Sequence, residues 1–246
     1  MTRDLFRVSD LLVRRGRASA GLPPGQREIS AYPRYGSEGI ARDPVTPRGP
    51  SIELSGVGIE TAWLDAASLS RLPRHEIVAD FHCVAGWSAR GLCWEGVLLR
   101  GVLEMLEPAA DATHLRACGR DGFRAALVLE DALGDDVLIA DRLDGDPLPI
   151  EHGGPWRLVS ASQYGYKSVK HLCRIELHSR EPSDRHKRPI TGLALSTLAP
   201  HPRARVWQEE RHRHLPALSL RWAIGPLIHP FAYTLGYLGA LRTRRR

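Results

Sequence analysis

Between residues 51 and 178 the chain is a succession of short apolar runs, each stopped by glycine, proline or acidic residues. That punctuation limits the fold more than any other feature, because long helices cannot form across it. Residues 51–60 alternate with the two-residue period of a strand. Glu76–His82, His114–Ala117, Phe123–Leu129, Asp136–Asp141, Arg157–Ser160 and Val169–Leu177 read as further strands, and Leu143–Leu148 as a turn. Helical patterns are fewer. Ala66–Leu72 is a short helix capped by Asp65. Val97–Leu106 has helical spacing, with Val97, Leu98, Val102, Leu103 and Leu106 near one face, and 129–133 is a single helical turn. Many strands and few short helices predict an α+β fold, strand-rich, with antiparallel or mixed sheets. A hydrophobic content of 43% in 246 residues is enough for a sizeable core.

The flanks have a different character. Residues 1–50 are rich in Arg, Pro and Gly and read as an N-terminal arm, with an aromatic-proline patch at Tyr32–Gly36 that suits core packing or contact with a ligand. Residues 51–180 form the core domain, 181–216 a polar loop and return segment, and 217–246 an apolar tail ending in arginines. Trp222–Leu241 carries no Asp, Glu, Lys or Arg, a length that reaches the range of a spanning helix. Gly225, Pro226, Pro230, Gly236 and Gly239 weaken it as a helix. Docking on its own body or a partner, interfacial anchoring at an acidic membrane and a true span stay open, in that order. Arg14-Arg15 is not followed by an apolar run, so the expectation is no export signal and a cytoplasmic protein, with membrane association as the alternative. The four cysteines form no C-x-x-C pair and fit a reduced thiol set.

Net charge is +6, a sign that invites nucleic-acid binding. Lysine occurs only at Lys167, Lys170 and Lys187, so the excess is an arginine bias, much of it at the two ends. The basic residues also lack the interleaved aromatic platform of a nucleic-acid binder, and that class is set aside.

Two stretches carry chemistry. The first is Asp80-Phe81-His82-Cys83-Val84-Ala85-Gly86-Trp87-Ser88. Cys93, Cys118 and Cys173 sit among apolar or strand residues, where a thiol is usually a small hydrophobe. Cys83 ends a strand and opens a glycine-containing turn, where active-site groups project. The second runs from His152-Gly153-Gly154-Pro155-Trp156-Arg157 to Tyr164-Gly165-Tyr166-Lys167-Ser168-Val169-Lys170. Arg157 can hold a phosphate bidentately, Lys170 as a point charge, and the glycines after His152 let backbone approach a ligand. A solvated charged turn is the competing reading of each residue taken singly. Together, a soft thiolate and an anion-binding cluster suit a cofactor with a soft metal at one end and a phosphate at the other.

The segments Phe81–Ser88, Trp94–Val97, Asp121–Phe123, Leu127–Ala132, Asp136–Ala140, Leu148–Arg157 and Tyr164–Glu176 resemble, in order, the molybdenum-cofactor domain of the sulfite-oxidase family. The nearer resemblance is to the bacterial branch that includes the methionine-sulfoxide reductase catalytic subunit. The resemblance implies a sulfite-oxidase-type molybdopterin-binding fold. It makes Cys83 the catalytic residue and the protein ligand of molybdenum. His152 and Arg157 then contact the pterin and its phosphate, Ser168, Val169 and Lys170 grip the same anion, and Gly119 contributes backbone. Arg34 falls where the family's arm reaches the cofactor. The arginine that sulfite oxidases carry five residues beyond the metal cysteine is Ser88 here, with Arg90 two places on, which argues against sulfite as substrate.

The function expected is molybdenum-cofactor-dependent two-electron transfer, of an oxygen atom or of electrons, on a small substrate. Trp87, Arg90 and Tyr164 are candidates to wall the substrate side. A redox partner is implied and no nucleic acid, and 217–246 is the candidate segment for membrane or partner contact. The alternative from another class is a cofactor-less scaffold that keeps the fold.

Overall fold

A computed structural model describes residues 21–28, 50–84, 86–106, 110–183 and 200–216. Arg34, the Tyr32–Gly36 patch and the tail 217–246 lie outside the described residues. No described helix is long and apolar enough to cross a membrane.

The strands are β1 (Arg27–Glu28), β2 (Ile52–Gly56), β3 (Ala62–Leu64), β4 (Arg74–His82), β5 (Trp87–Leu98), β6 (His114–Gly119), β7 (Arg124–Val128), β8 (Val137–Leu143), β9 (Asp146–Pro147), β10 (Arg157–Ser160) and β11 (Leu172–His178). The helices are short: α1 (Ala66–Ser70), α2 (Leu99–Glu104) and α3 (Leu129–Ala132). The strands make two sheets. One is six-stranded, in the path β1-β5-β8-β10, with β4 also paired to β5 and β9 to β8. The other is five-stranded in the order β3-β2-β11-β6-β7. Pairing is antiparallel except for β1 with β5 and β2 with β11. This is the mixed, strand-rich α+β architecture expected.

Burial explains the arrangement. Ile52 and Leu54 of β2, Leu115 and Ala117 of β6, Ile175 and Leu177 of β11, and Val137 and Ile139 of β8 join one buried cluster. The intervening Leu138 and Ala140 enter a second cluster with Trp87, Trp94 and Val159. The first half of β8, Val137–Ala140, is therefore buried on both faces, which is why it reads as an unbroken apolar run rather than an alternation. Each large aliphatic side chain removed from water there contributes about 1.5–3 kcal/mol before the entropy cost of ordering. The Asp65 cap is formed, its Oδ1 accepting the Ser68 amide at 2.8 Å.

The helix expected over Val97–Leu106 is a correction. Val97 and Leu98 end β5, and the helix occupies only Leu99–Glu104. Strand β5 itself, twelve residues long, escaped the sequence reading because Gly91 and Gly96 interrupt it. Both glycines are structural. Gly91, at φ +64°, donates its amide to Asp80 Oδ1 at 2.9 Å, where the β4–β5 register shifts. A Cβ on Gly96 would collide with the Ile139 carbonyl, so only glycine lets β5 lie this close to β8.

Candidate functional site: a thiol turn beside two basic loops

Cys83 follows β4 in the tight turn to β5. Its amide donates to Trp87 O at 2.8 Å, and its carbonyl accepts the Gly86 amide at 2.9 Å. Gly86 closes that turn at φ +93°, a conformation that favours glycine. Cys83 is half-buried.

The other three thiols are kept protonated. Burial pushes Cys118 up to about 11. Burial also raises Cys173. At the half-buried Cys93, desolvation and then the Glu76 carboxylate raise the pKa. Three of the four cysteines thus have the inert character expected of packing thiols.

The second stretch folds against the strand that carries Cys83. Arg157, on β10, is 1% exposed. Its guanidinium lies 5.0 Å from the Phe81 ring centre and 5.3 Å from that of Trp94, and Nη1 donates to His152 O at 2.9 Å. Phe81 is stacked on Trp87 at 5.9 Å, and its ring fills the space where Gly165 would carry a Cβ. On the other side of Cys83, Val84 is buried with Tyr164. The residues two before and one after the thiol therefore both meet the 152–170 loops, and the structure brings the two sequence stretches together.

Within those loops, Lys170 is the organising residue. Its Nζ donates to Glu151 O at 2.7 Å. Gly153, at φ +110°, lies so close that a Cβ would sit 2.9 Å from Lys170 Cβ. A Cβ on Gly119 would collide with the Lys170 carbonyl. His152 ends a 3-10 turn at Ile150–His152, next to this contact. Val169 is fully buried and its carbonyl accepts the Leu158 amide at 2.9 Å. Ser168 is spent on the fold: its amide donates to Gly165 O at 3.1 Å, and its Oγ accepts the Ser160 amide at 3.1 Å.

The structure places the remaining candidates as follows. Trp87 and Tyr164 are 3% and 0% exposed, so they belong to the core and do not wall an open substrate side. Arg90 is held by Glu28 and Asp80, each at 3.5 Å. Lys167 is a strut, with its ammonium donating to Ala126 O and, at 2.7 Å, to Pro202 O.

Sequence reasoning missed the roles of four polar residues, Ser88, His82, Gln26 and His171. Ser88 is fully buried between His82 Nδ1, at 2.7 Å, and Gln26 Oε1, at 3.0 Å. Its hydroxyl is thus engaged on both sides and away from solvent. His82, the residue before the thiol, is 6% exposed, and Gln26 is 5% exposed. His171 is 3% exposed at φ +51°. Its Nδ1 lies 2.9 Å from Gly154 O, so Nδ1 carries the proton, while Nε2 is buried without a hydrogen-bond partner. Only His82 and His171 had any signal, as polar residues beside apolar neighbours.

Burial holds His171 below the ordinary histidine pKa of 6.5, outweighing the Gly154 carbonyl. The unfolded chain therefore takes up this proton first. The stability that the neutral ring contributes is complete above pH 6.5 and is lost as pH falls below it. The midpoint of thermal unfolding should drop between pH 7 and 5, and His171→Asn, which tolerates positive φ, should flatten that part of the profile. Circular dichroism melts of the two proteins check this.

The donor set suits a molybdopterin-type group: a thiol on a turn, a buried guanidinium, a lysine, and glycines at which backbone and Lys170 meet without room for a side chain. Comparison with known proteins points the same way. Residues 44–186 match the model of the oxidoreductase molybdopterin binding domain family. The uncharacterized oxidoreductase YuiH of Bacillus subtilis is 28% identical over 158 residues, covering 64% of this chain and 79% of that protein. The protein-methionine-sulfoxide reductase catalytic subunit MsrP of Gluconobacter oxydans is 28% identical over 228 residues, covering 80% of this chain and 72% of that one. In fold, the sulfane dehydrogenase SoxCD of Paracoccus pantotrophus aligns with a TM-score of 0.54 at 22% identity, over 77% of this chain and 51% of that one. With more than half its length inside the family's domain, at the segment where thiol turn and basic loops meet, the chain belongs to the molybdopterin-binding oxidoreductases of the sulfite-oxidase family.

Proposed function

We propose that the protein binds a molybdenum-bearing molybdopterin between the Cys83 turn and the 152–170 loops, and uses it for two-electron chemistry on a small substrate. One observation carries this reading: Phe81 and Val84, on either side of Cys83, pack against Arg157 and Tyr164 of the loops that hold the cations. The Cys83 thiolate is the soft ligand for the metal. Arg157 and Lys170 supply fixed positive charge to the phosphate end, with His152 and the Gly119 backbone beside them. Val169 contributes through its backbone, because its side chain is in the core. Ser168 contributes by shaping the loop, since its amide and hydroxyl already bond within the protein. When bound, the cofactor supplies oxygen-atom or electron transfer in two-electron steps. The protein's part is to aim one sulfur, neutralise one anion and exclude water around both.

Two of the named relatives act on sulfur compounds by their names, a methionine sulfoxide and a sulfane, so a sulfur-centred substrate is the class to assay first. The buried Ser88 removes the anion contact a sulfite-type substrate would use. A cytoplasmic location is part of the proposal, supported by cysteines that form no C-x-x-C pair and fit a reduced thiol set, as is a separate redox partner.

Protein expressed in a host that makes the cofactor should carry about one molybdenum and one pterin per chain, the stoichiometry of a single closed site. Elemental analysis with pterin fluorescence after denaturation measures both. Less than about a tenth of that loading would instead favour the cofactor-less scaffold.

A further inference from the structure

Two short segments outside the family's domain converge on the turn that carries Cys83. The family model matches residues 44–186, whereas the segments are 21–28 and 200–216. From the first, β1 pairs in parallel with the start of β5, and the Arg27 amide donates to Gly86 O at 3.0 Å. This places Gln26 beneath the turn. Its Nε2 donates to the Cys83 carbonyl at 3.2 Å, and its Oε1 accepts from Ser88 Oγ at 3.0 Å. With its hydroxyl proton given to Gln26, Ser88 accepts from His82 Nδ1–H at 2.7 Å. His82, Ser88 and Gln26 thus form one directed chain of hydrogen bonds that begins and ends within one residue of the thiol.

The second segment lies along the basic loop. The Tyr164 amide donates to Ala204 O at 2.9 Å, and the Val206 amide to Ser162 O at 3.1 Å. Ala204 and Val206 are buried with Tyr164 and Val84. Arg211 then crosses to the thiol turn. Its Nη1 donates to Val84 O at 2.6 Å, Nη2 to Pro24 O at 3.3 Å, and its guanidinium lies 4.9 Å from the Tyr164 ring centre. One arginine therefore touches the thiol turn, the basic loop and the other flanking segment.

We propose that Gln26 and Arg211 are positioning residues that hold the consecutive carbonyls of Cys83 and Val84, so that the flanking segments set the direction of the metal-ligating side chain. The proposal rests on Cys83 being that ligand. Peptide planes on both sides of a residue determine where its Cβ points: the plane before Cys83 is held by its own amide on Trp87 O, the plane after it by Gln26 on the Cys83 carbonyl, and Arg211 on the Val84 carbonyl fixes the next plane, so that the turn keeps one orientation. The bond from Arg211 is charge-assisted and therefore the stronger of the two. A change in thiolate direction alters sulfur–metal overlap, which is how residues outside the ligand set tune a centre.

The test has two readouts. In the metal-free protein, iodoacetamide labelling followed by peptide mass spectrometry gives the rate at Cys83. Arg211→Met and Gln26→Leu should raise it about tenfold, the opening expected when a charge-assisted or buried hydrogen bond is lost. The rate at the buried Cys118 should not change. Arg213→Gln, which breaks a pair with Glu181 on the same segment, should leave Cys83 at the wild-type rate. In the metal-loaded protein at equal molybdenum content, both variants should shift the g values of the reduced centre, and Arg211→Lys should fall between them and wild type. Wild-type labelling and spectra in Arg211→Met and Gln26→Leu overturn the proposal. So does a parallel rise at Cys118, which marks general loosening. If Arg211→Met does not fold, Arg211→Lys and Gln26→Leu decide on the same readouts. A Cys83→Ser protein with an unchanged spectrum would remove the ligand assignment itself, a result separate from any labelling outcome.

Discussion

Cys83→Ser should give a folded, pterin-containing protein with no redox turnover. Cys83 is half-buried, and its backbone bonds to Trp87 and Gly86 do not involve the side chain. Exchange of sulfur for oxygen there should cost about 1 kcal/mol of stability, the scale of an ordinary point substitution. A hydroxyl is a poor replacement for a soft thiolate on a redox metal. Turnover should therefore fall at least about a thousandfold, equivalent to roughly 4 kcal/mol of transition-state stabilisation. The charge-transfer absorption from the cysteine sulfur to the metal should vanish, while that of the pterin's own sulfurs remains and pterin stays bound through the basic loops. Cys118→Ser should keep activity, because burial already holds that thiol protonated. The opposite pattern, with Cys83→Ser active, would move the metal away from this turn.

Arg157→Met should separate stability from cofactor retention. The guanidinium is 1% exposed, between Phe81 and Trp94. Withdrawing a charge from water is costly, and a well-fitting apolar side chain often replaces a buried charge at little loss. Methionine keeps much of the volume and can pack on both rings. Against that stands the loss of the bond to His152 O and of two ring contacts. The two effects oppose one another, and unfolding of the cofactor-free protein should change by no more than about 2 kcal/mol. Retention of the pterin on gel filtration should suffer far more. A charge-assisted contact to phosphate worth about 3 kcal/mol corresponds to roughly a hundredfold weaker binding. Wild-type retention would show that Arg157 serves the core and not the anion.

The elements that read correctly were those whose burial follows one simple period. Residues 52–56 alternate because one face of β2 is buried, and Val137–Ala140 of β8 are all apolar because both faces are buried there. Strand β5 did not read, because Gly91 and Gly96 serve backbone contacts with Asp80 and Ile139 that lie far along the chain. Val97 and Leu98 looked helical for a related reason. They face opposite clusters at the end of a strand, and α2 begins at the next residue.

The candidate site was legible in residue type and illegible in partnership. Cys83, Arg157 and Lys170 stood out by chemistry. Lys167 carries the same charge three residues from Lys170, yet its ammonium is used on Ala126 and Pro202 carbonyls. Trp87 and Tyr164 were placed near the thiol by sequence distance, and the fold turns both inward. Gln26 and Arg211 carried no signal, since they reach the turn from 57 and 127 residues away, at Cys83 and Val84 respectively.

The order of amino acids was sufficient to specify a strand-rich domain, a single thiol on a turn and a basic loop, because period, turn chemistry and side-chain charge are local properties. Only the folded molecule decided which cations face that thiol's strand and which brace the core, and which distant segments grip the turn. Those choices depend on strand register and on the requirement that buried polar groups find partners, and neither is written at the positions concerned.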